Sequence, residues 1–196
     1  MRILKALSNR LSPRWLPALR VLSAVSVLSV VAAGCQVGLP FDLARDVQVD
    51  VAAQGDAGML FHLDLAEAAA LQATGHGPLR SLTLDSADVT VTQVDTDAGI
   101  NQAKSLSGTL RLRPAGTAAG DSAADAVVGT FSGLALKPGA VAHLEGTESA
   151  SALLLAAYEK DGRFQVALDC TLDDGRPAHV VLWLALHASA GYHSGP

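Results

Sequence analysis

In this 196-residue chain the side chains whose types and spacing invite a chemical reading are six histidines, two cysteines, a few acidic pairs and Ser132 between Gly129 and Gly133. His62, His76, His143, His179, His187 and His193 are scattered, and none makes the helical i, i+4 pair that a zinc hydrolase uses. Most fall near the ends of extended segments; a zinc site would require His62 to converge with His143 or His179 around a carboxylate. Asp95-x-Asp97-x-Gly99 has the alternate carboxylates that open a calcium loop, but it lacks the third oxygen ligand and the later glutamate, so it reads as a turn. Asp95 and Asp97 are therefore weak metal candidates. Gly129-Thr-Phe-Ser132-Gly133 misses the G-x-S-x-G spacing that presents a strained nucleophile, and neither the P-loop nor the dinucleotide glycine spacing occurs. No catalytic residue and no cofactor is assigned on these grounds.

Two further residues carry specific expectations. Cys170 alternates with Phe164, Val166, Leu168 and Leu172 on one strand face, among Asp169, Asp173 and Asp174, so a buried and inert thiol is expected. Those aspartates themselves read as a solvated turn. Trp183 stands opposite the leucine face of its own strand and is either core of a second layer or a ligand platform. Aromatic residues are only 4% of the chain, which leaves sugar binding little to work with.

The elements that would position these groups are mostly extended. Val47, Val49 and Val51 alternate with polar or small neighbours, and Met59 to Leu65 does the same after Gln54-Gly-Asp-Ala-Gly, a pattern that predicts a hairpin. Ala66 to Ala73 predicts a turn or two of helix. Residues 82–94 fit two strands or one bent strand, and 106–112 a further strand ended by Pro114. Small and acidic residues over 115–126 predict a mobile loop. Residues 127–136 resume extended structure, broken by Gly129 and Gly133, before Lys137-Pro-Gly139, a type II turn sequence. At Thr147 the period changes: Leu153, Leu154, Ala157 and Tyr158 share a stripe, Thr147 can cap and Gly162 can stop, which predicts a helix. Phe164 to Leu172 and His179 to His187 follow as strands around the hairpin signal Asp173-Asp174-Gly175. The last strand is apolar on both faces and so is expected to be central.

Seven or eight short strands with one or two small helices predict an antiparallel β-sandwich of the immunoglobulin-like or Greek-key type, with a β-barrel as the second choice.

The first 35 residues have another character. Arg2, Lys5, Arg10, Arg14 and Arg20 precede the apolar run Val21 to Ala33, which is shorter than the roughly 20 residues of a spanning helix, and the run ends in Ala32-Ala33-Gly34-Cys35. Here the chain resembles the precursors of bacterial lipoproteins. The resemblance implies a diacylglyceryl thioether on Cys35, cleavage after Gly34 and acylation of the new amine. Because Gln36, not Asp, follows the cysteine, it also implies an outer-membrane destination in the bacterial envelope. Two or three acyl chains on one residue make an effectively permanent tether. With Cys35 lipidated, Cys170 has no partner for an intrachain disulfide.

This divides the chain into a signal peptide over 1–34, a lipidated start and short tether over 35–46, a single sandwich domain over 47–187 and a flexible tail over 188–196. The basic leader takes five of the 14 basic residues, so the remainder is strongly acidic, with all 19 acids. Such a domain repels phosphate backbones, which argues against nucleic acid as a partner. The expected role is a non-catalytic interaction or structural module, tethered to the membrane through Cys35 and meeting a protein partner in the envelope. The alternative is a small-ligand or lipid binder, with Leu153, Leu182 and Leu184 lining an apolar cavity between the sheets.

Overall fold

The structure is a computed structural model that describes residues 36–51, 56–72, 78–95, 97, 101–118 and 122–193. Eight strands account for most of it: β1 (Gln36–Val51), β2 (Asp56–Asp64), β3 (Leu79–Val94), β4 (Ser105–Pro114), β5 (Ala126–Ala135), β6 (Val141–Glu145), β7 (Arg163–Leu172) and β8 (Ala178–His193). A 3-10 turn (Leu65–Glu67) and a four-residue helix α1 (Ala69–Gln72) follow β2, and one longer helix, α2 (Glu148–Lys160), separates β6 from β7. The strands form two antiparallel four-stranded sheets, with orders β1-β8-β3-β6 and β2-β7-β4-β5. This interleaved order is that of a jelly roll, a sandwich of Greek keys, in agreement with the sandwich expected from the alternation.

The connections differ from the expected ones. β1 and β2 lie in different sheets, as do β7 and β8, so neither Gln54–Gly58 nor Asp173-Asp174-Gly175 closes a hairpin. The Asp95–Gly99 segment likewise leads from one sheet to the other. Among sequence neighbours only β4 and β5 pair with each other. The physical reason is that period-2 alternation records which face of a strand is buried, and a turn that crosses between sheets buries the same face as one that folds back within a sheet.

The domain boundaries also move outward. Residues 36–46, expected as a tether, belong to β1, which pairs with β8 from Gln36↔His193 to Val51↔Ala178. Pro40 is compatible with this because β1 is an edge strand, where a missing N–H need not interrupt a ladder. The expected tail over 188–196 is the end of β8, with Ala188, Ala190 and Tyr192 buried. Small residues there reflect close packing rather than fraying; residues 194–196 lie outside the described residues.

The remaining long strands follow the alternation. β3 is one bent strand, with register shifts against β8 at Leu79/Ser81, Leu84/Ser86 and Val91/Gln93. The shift near Ser86 places both Leu84 and Ala87 in the core. β8 is central, flanked by β1 and β3. Its inner residues Val180, Leu182, Leu184 and Leu186 meet Leu110, Leu112, Val166 and Leu168 of the opposite sheet in a single hydrophobic cluster.

Helix α2 begins where the sequence predicts. Thr147 Oγ1 accepts the Ala150 N–H at 3.3 Å and donates to the Val127 carbonyl at 2.9 Å, so the cap also pins the helix to β5. Gly162, at φ 76°, ends it in the left-handed conformation that a β-carbon disfavours. Ala150, Leu154 and Ala157 are buried, and Ser151 Oγ accepts the Leu84 N–H at 3.0 Å, docking the helix on β3. Tyr158, expected on the buried stripe, is exposed.

Candidate functional site

Two outer faces carry the polar chemistry of the sandwich. On the β1-β8-β3-β6 sheet, side chains from all four strands form a row. His187 Nδ1 lies 2.7 Å from Asp42 Oδ1, and its Nε2 lies 3.3 Å from Asp88 Oδ2. Asp88 Oδ1 is 2.6 Å from His143 Nδ1, whose Nε2 is 3.6 Å from Glu145 Oε1. The register creates this row: Asp42 faces His187 across β1/β8, and Asp88 faces His143 across β3/β6. Ser189 Oγ donates to Asp85 Oδ1 beside it, at 3.2 Å.

The row is electrostatically self-consistent. The hydrogen bond to Asp42 raises the His187 pKa above the ordinary imidazole value; burial opposes this, and Asp88 adds to the rise. Burial pulls the Asp88 carboxyl upward, but the hydrogen bonds and charges of His143 and His187 outweigh it and hold that carboxyl below its ordinary value.

Next to the row, Trp183 is paired with Asp46 on one side and Thr90 on the other, and Val141 continues the line on β6. Trp183 is 47% exposed, so it does not belong to a second core layer; the outward face of β8 is uncovered.

The outer face of the other sheet holds an open hollow of about 540 Å³, lined by Ser107, Thr109, Thr130, Asp169 and Thr171. Asp169, the charged residue of its lining, is already paired with Arg111, and the Ser107 hydroxyl donates to Asp173. A second, smaller hollow of about 370 Å³ lies at the open side between β1 and β2, where Arg45 Nη1 donates to the His62 carbonyl at 2.9 Å.

The residues singled out from the sequence are mostly kept apart. His62 stands on β2, within 3.5 Å of the Gln165 amide, whereas His179 accepts from Gln48 Nε2 at 3.0 Å on the opposite sheet. His62 therefore meets neither His143 nor His179. Among the described residues no group of three or more His, Cys, Asp or Glu is arranged to hold a metal ion. Asp95 Oδ1 accepts the Asp97 N–H at 2.9 Å, and the Asp97 carbonyl accepts the Asn101 N–H at 2.8 Å, so this pair shapes its own loop. Cys170 is buried, and its thiol is pushed up to about 12, by burial first and by Asp169 second. Ser132 sits exposed in β5. Gly34, Cys35 and His76 lie outside the described residues.

The Asp42–His187–Asp88–His143 row was not legible in the sequence. Its members are spread over residues 42–187, and only the cross-strand register assembles them.

No helix among the described residues is long and apolar enough to cross a membrane, which says nothing of strands. The architecture defines a class, the eight-stranded jelly-roll sandwich. No protein-family model matches the chain, and no curated protein matches it. Among solved structures, the decameric BFDV capsid protein is similar with a TM-score of 0.43 and 11% identity, over 80% of this chain and 99% of that one. The 60-mer BFDV capsid protein reaches a TM-score of 0.39 at 8% identity, over 83% of this chain and 97% of that one. Infectious bursal disease virus (Gx strain) reaches 0.37 at 13% identity, over 82% of this chain and 34% of that one. Similarity this low carries neither function nor assembly to the present chain.

Proposed function

We propose that this chain is a lipid-anchored protein of the bacterial envelope, held through Cys35 at the outer membrane, whose jelly-roll domain is a non-catalytic interaction or structural module. The observation that supports it is the order of the first 35 residues: five basic side chains with no acid up to Arg20, the thirteen-residue apolar run Val21 to Ala33, and the small residues that lead into Cys35. The acidic mature domain supports protein rather than nucleic acid as its partner.

The module reading is preferred to an apolar binding cavity because of where the apolar side chains sit. Leu182 and Leu184, at 0% and 1% exposure, are packed into the single core cluster. Trp183, Leu60, Val127 and Val141 are the large apolar residues left exposed on strands, and each belongs to a surface rather than to an interior void. Metabolic labelling with a fatty-acid analogue tests the anchor. Wild-type protein should take up label and sediment with membranes, and Cys35→Ala should lose the label and become soluble. Label retained by Cys35→Ala, or a mature N-terminus upstream of residue 35, would overturn the proposal.

A further inference from the structure

We infer that the anchored domain stands end-on to the bilayer, with the start of β1, the start of β3 and the end of β8 at the lipid surface. This rests on the lipidation of Cys35 proposed above. Residues 36–46, expected as part of a tether, are strand, and Gln36 is already paired with His193, so no slack separates the acylated residue from the sheet. Leu79, the first residue of β3, pairs with Tyr192 and thus lies at the same end.

Charge decides between standing and lying down. The broad outer face of the β1-β8-β3-β6 sheet carries Asp42, Asp46, Asp85, Asp88 and Glu145. Its four strands supply only two Lys or Arg side chains, and the histidines on the face, His143 and His187, lie against those carboxylates. Arg45 is turned to the His62 carbonyl of β2, and exposed Arg80 sits at the anchored end, one residue past Leu79. At the anchored end, residues 36–41, 79–84 and 188–193 hold Arg80 and no carboxylate, so an anionic leaflet would repel the broad face far more than these strand ends. With 16 residues in β1 and about 3.3 Å per residue, the opposite end stands about 50 Å from the anchor. That far end carries the Lys137-Pro138-Gly139 turn, the Asp173–Arg176 turn and Asp95. It is the part of the domain presented away from the membrane.

The chain supplies its own reporter. Trp15 precedes the cleavage point, so Trp183 is the sole tryptophan of the mature protein. Its partner Asp46 lies ten residues along β1 from Gln36, about 33 Å from the anchored end. The test places the purified lipidated protein in phosphatidylethanolamine–phosphatidylglycerol vesicles whose acyl chains carry bromine, a contact quencher of indole. Intact mass is measured on the same sample. Trp183 emission should be unchanged relative to non-brominated vesicles. Pro78→Trp in a Trp183→Phe background, which keeps Arg80, should lose more than half of its emission, and Arg80→Trp is a second reporter at the same end. Quenching of Trp183 comparable to that at position 80 or 78 would mean that the domain lies on its sheet face and would overturn the inference. No quenching at either end position, with the lipid mass present, would overturn it as well. A mass without the diacylglyceryl group would instead refute the anchor, and the orientation with it.

Discussion

Arg113 grips Asp125 with two parallel hydrogen bonds, Nε to Oδ1 and Nη2 to Oδ2, both 2.7 Å long, and the two side chains are only 8% and 2% exposed. The pair joins the end of β4 to the residue just before β5. Composition alone predicts a mobile loop over 115–126, because its small residues bury little; the structure instead ties the end of that loop down through its last acid. Asp125→Ala would take the bidentate carboxylate from a buried guanidinium, and the cost should be about 3–5 kcal/mol in urea unfolding. The double change Arg113→Met with Asp125→Leu removes both charges and should recover most of that loss. If Asp125→Ala unfolds with the wild-type midpoint, the pair contributes nothing to the fold.

What the sequence reveals here follows from the range of the signal. Helix α2 was legible because Thr147, the apolar stripe and Gly162 all lie within one local segment, and β8 was placed as central because its two faces are both apolar. Its outward face turned out to be open, since Trp183 and Val181 resemble core residues in composition alone. Strand partners were not legible: β1 lies next to β8 and β3 next to β6, pairings that depend on which sheet each strand joins. The short strand β6 (Val141–Glu145) escaped for another reason. It is five residues long, and its alternation buries only Leu144. The row from Asp42 to His143 is a product of those pairings and inherits their invisibility.

That row should make stability depend on pH. His187 has a raised pKa in the folded state, so its contribution is fully present below the unfolded imidazole value and is lost as pH rises through the folded one. Asp88, with a lowered pKa, contributes above the unfolded carboxyl value and loses that contribution as pH falls through the folded one. The two shifts describe the same contacts and are not summed. The groups facing His187 are Asp42 on β1, Asp88 and Asp85 on β3, and His143 and Glu145 on β6, all partly open to solvent. The effect should therefore stay within about 1 kcal/mol. Denaturant midpoints should rise as pH is lowered from 8 to 6, and His187→Gln should flatten that slope. An unaltered slope in the variant would assign the pH dependence elsewhere.

Gly146 has a steric duty between β6 and the cap of α2. A β-carbon there would lie 1.7 Å from the Leu84 carbonyl oxygen and 2.5 Å from its carbon, both backbone atoms that cannot swing aside. The Gly146 N–H also donates to the Asp85 carbonyl at 2.9 Å, which fixes the approach. Gly146→Ala should cost at least about 3 kcal/mol, at the upper end of overpacking penalties, because the strand and not a side chain must move. Gly38→Ala is the matched control, since nothing lies within 4 Å of a β-carbon at that position. Equal thermal midpoints for the two variants would show that β3 and β6 separate without cost.

Cys170 should be silent while the domain is folded. Its side chain lies between β2 and β4 on β7, is 1% exposed, and has its thiol pushed up to about 12, chiefly by burial and secondarily by the Asp169 carboxylate. The thiolate is the reactive form, so at pH 8 both access and ionisation oppose modification. In a Cys35→Ala chain, Ellman's reagent should find almost no thiol in native buffer and one in denaturant, with the native rate tracking global opening rather than reagent concentration. Reductant should leave the melting temperature of that variant unchanged. Rapid native labelling would mean that β7 is accessible from outside the sandwich, and a reductant-sensitive melting temperature would mean that Cys170 bridges two chains.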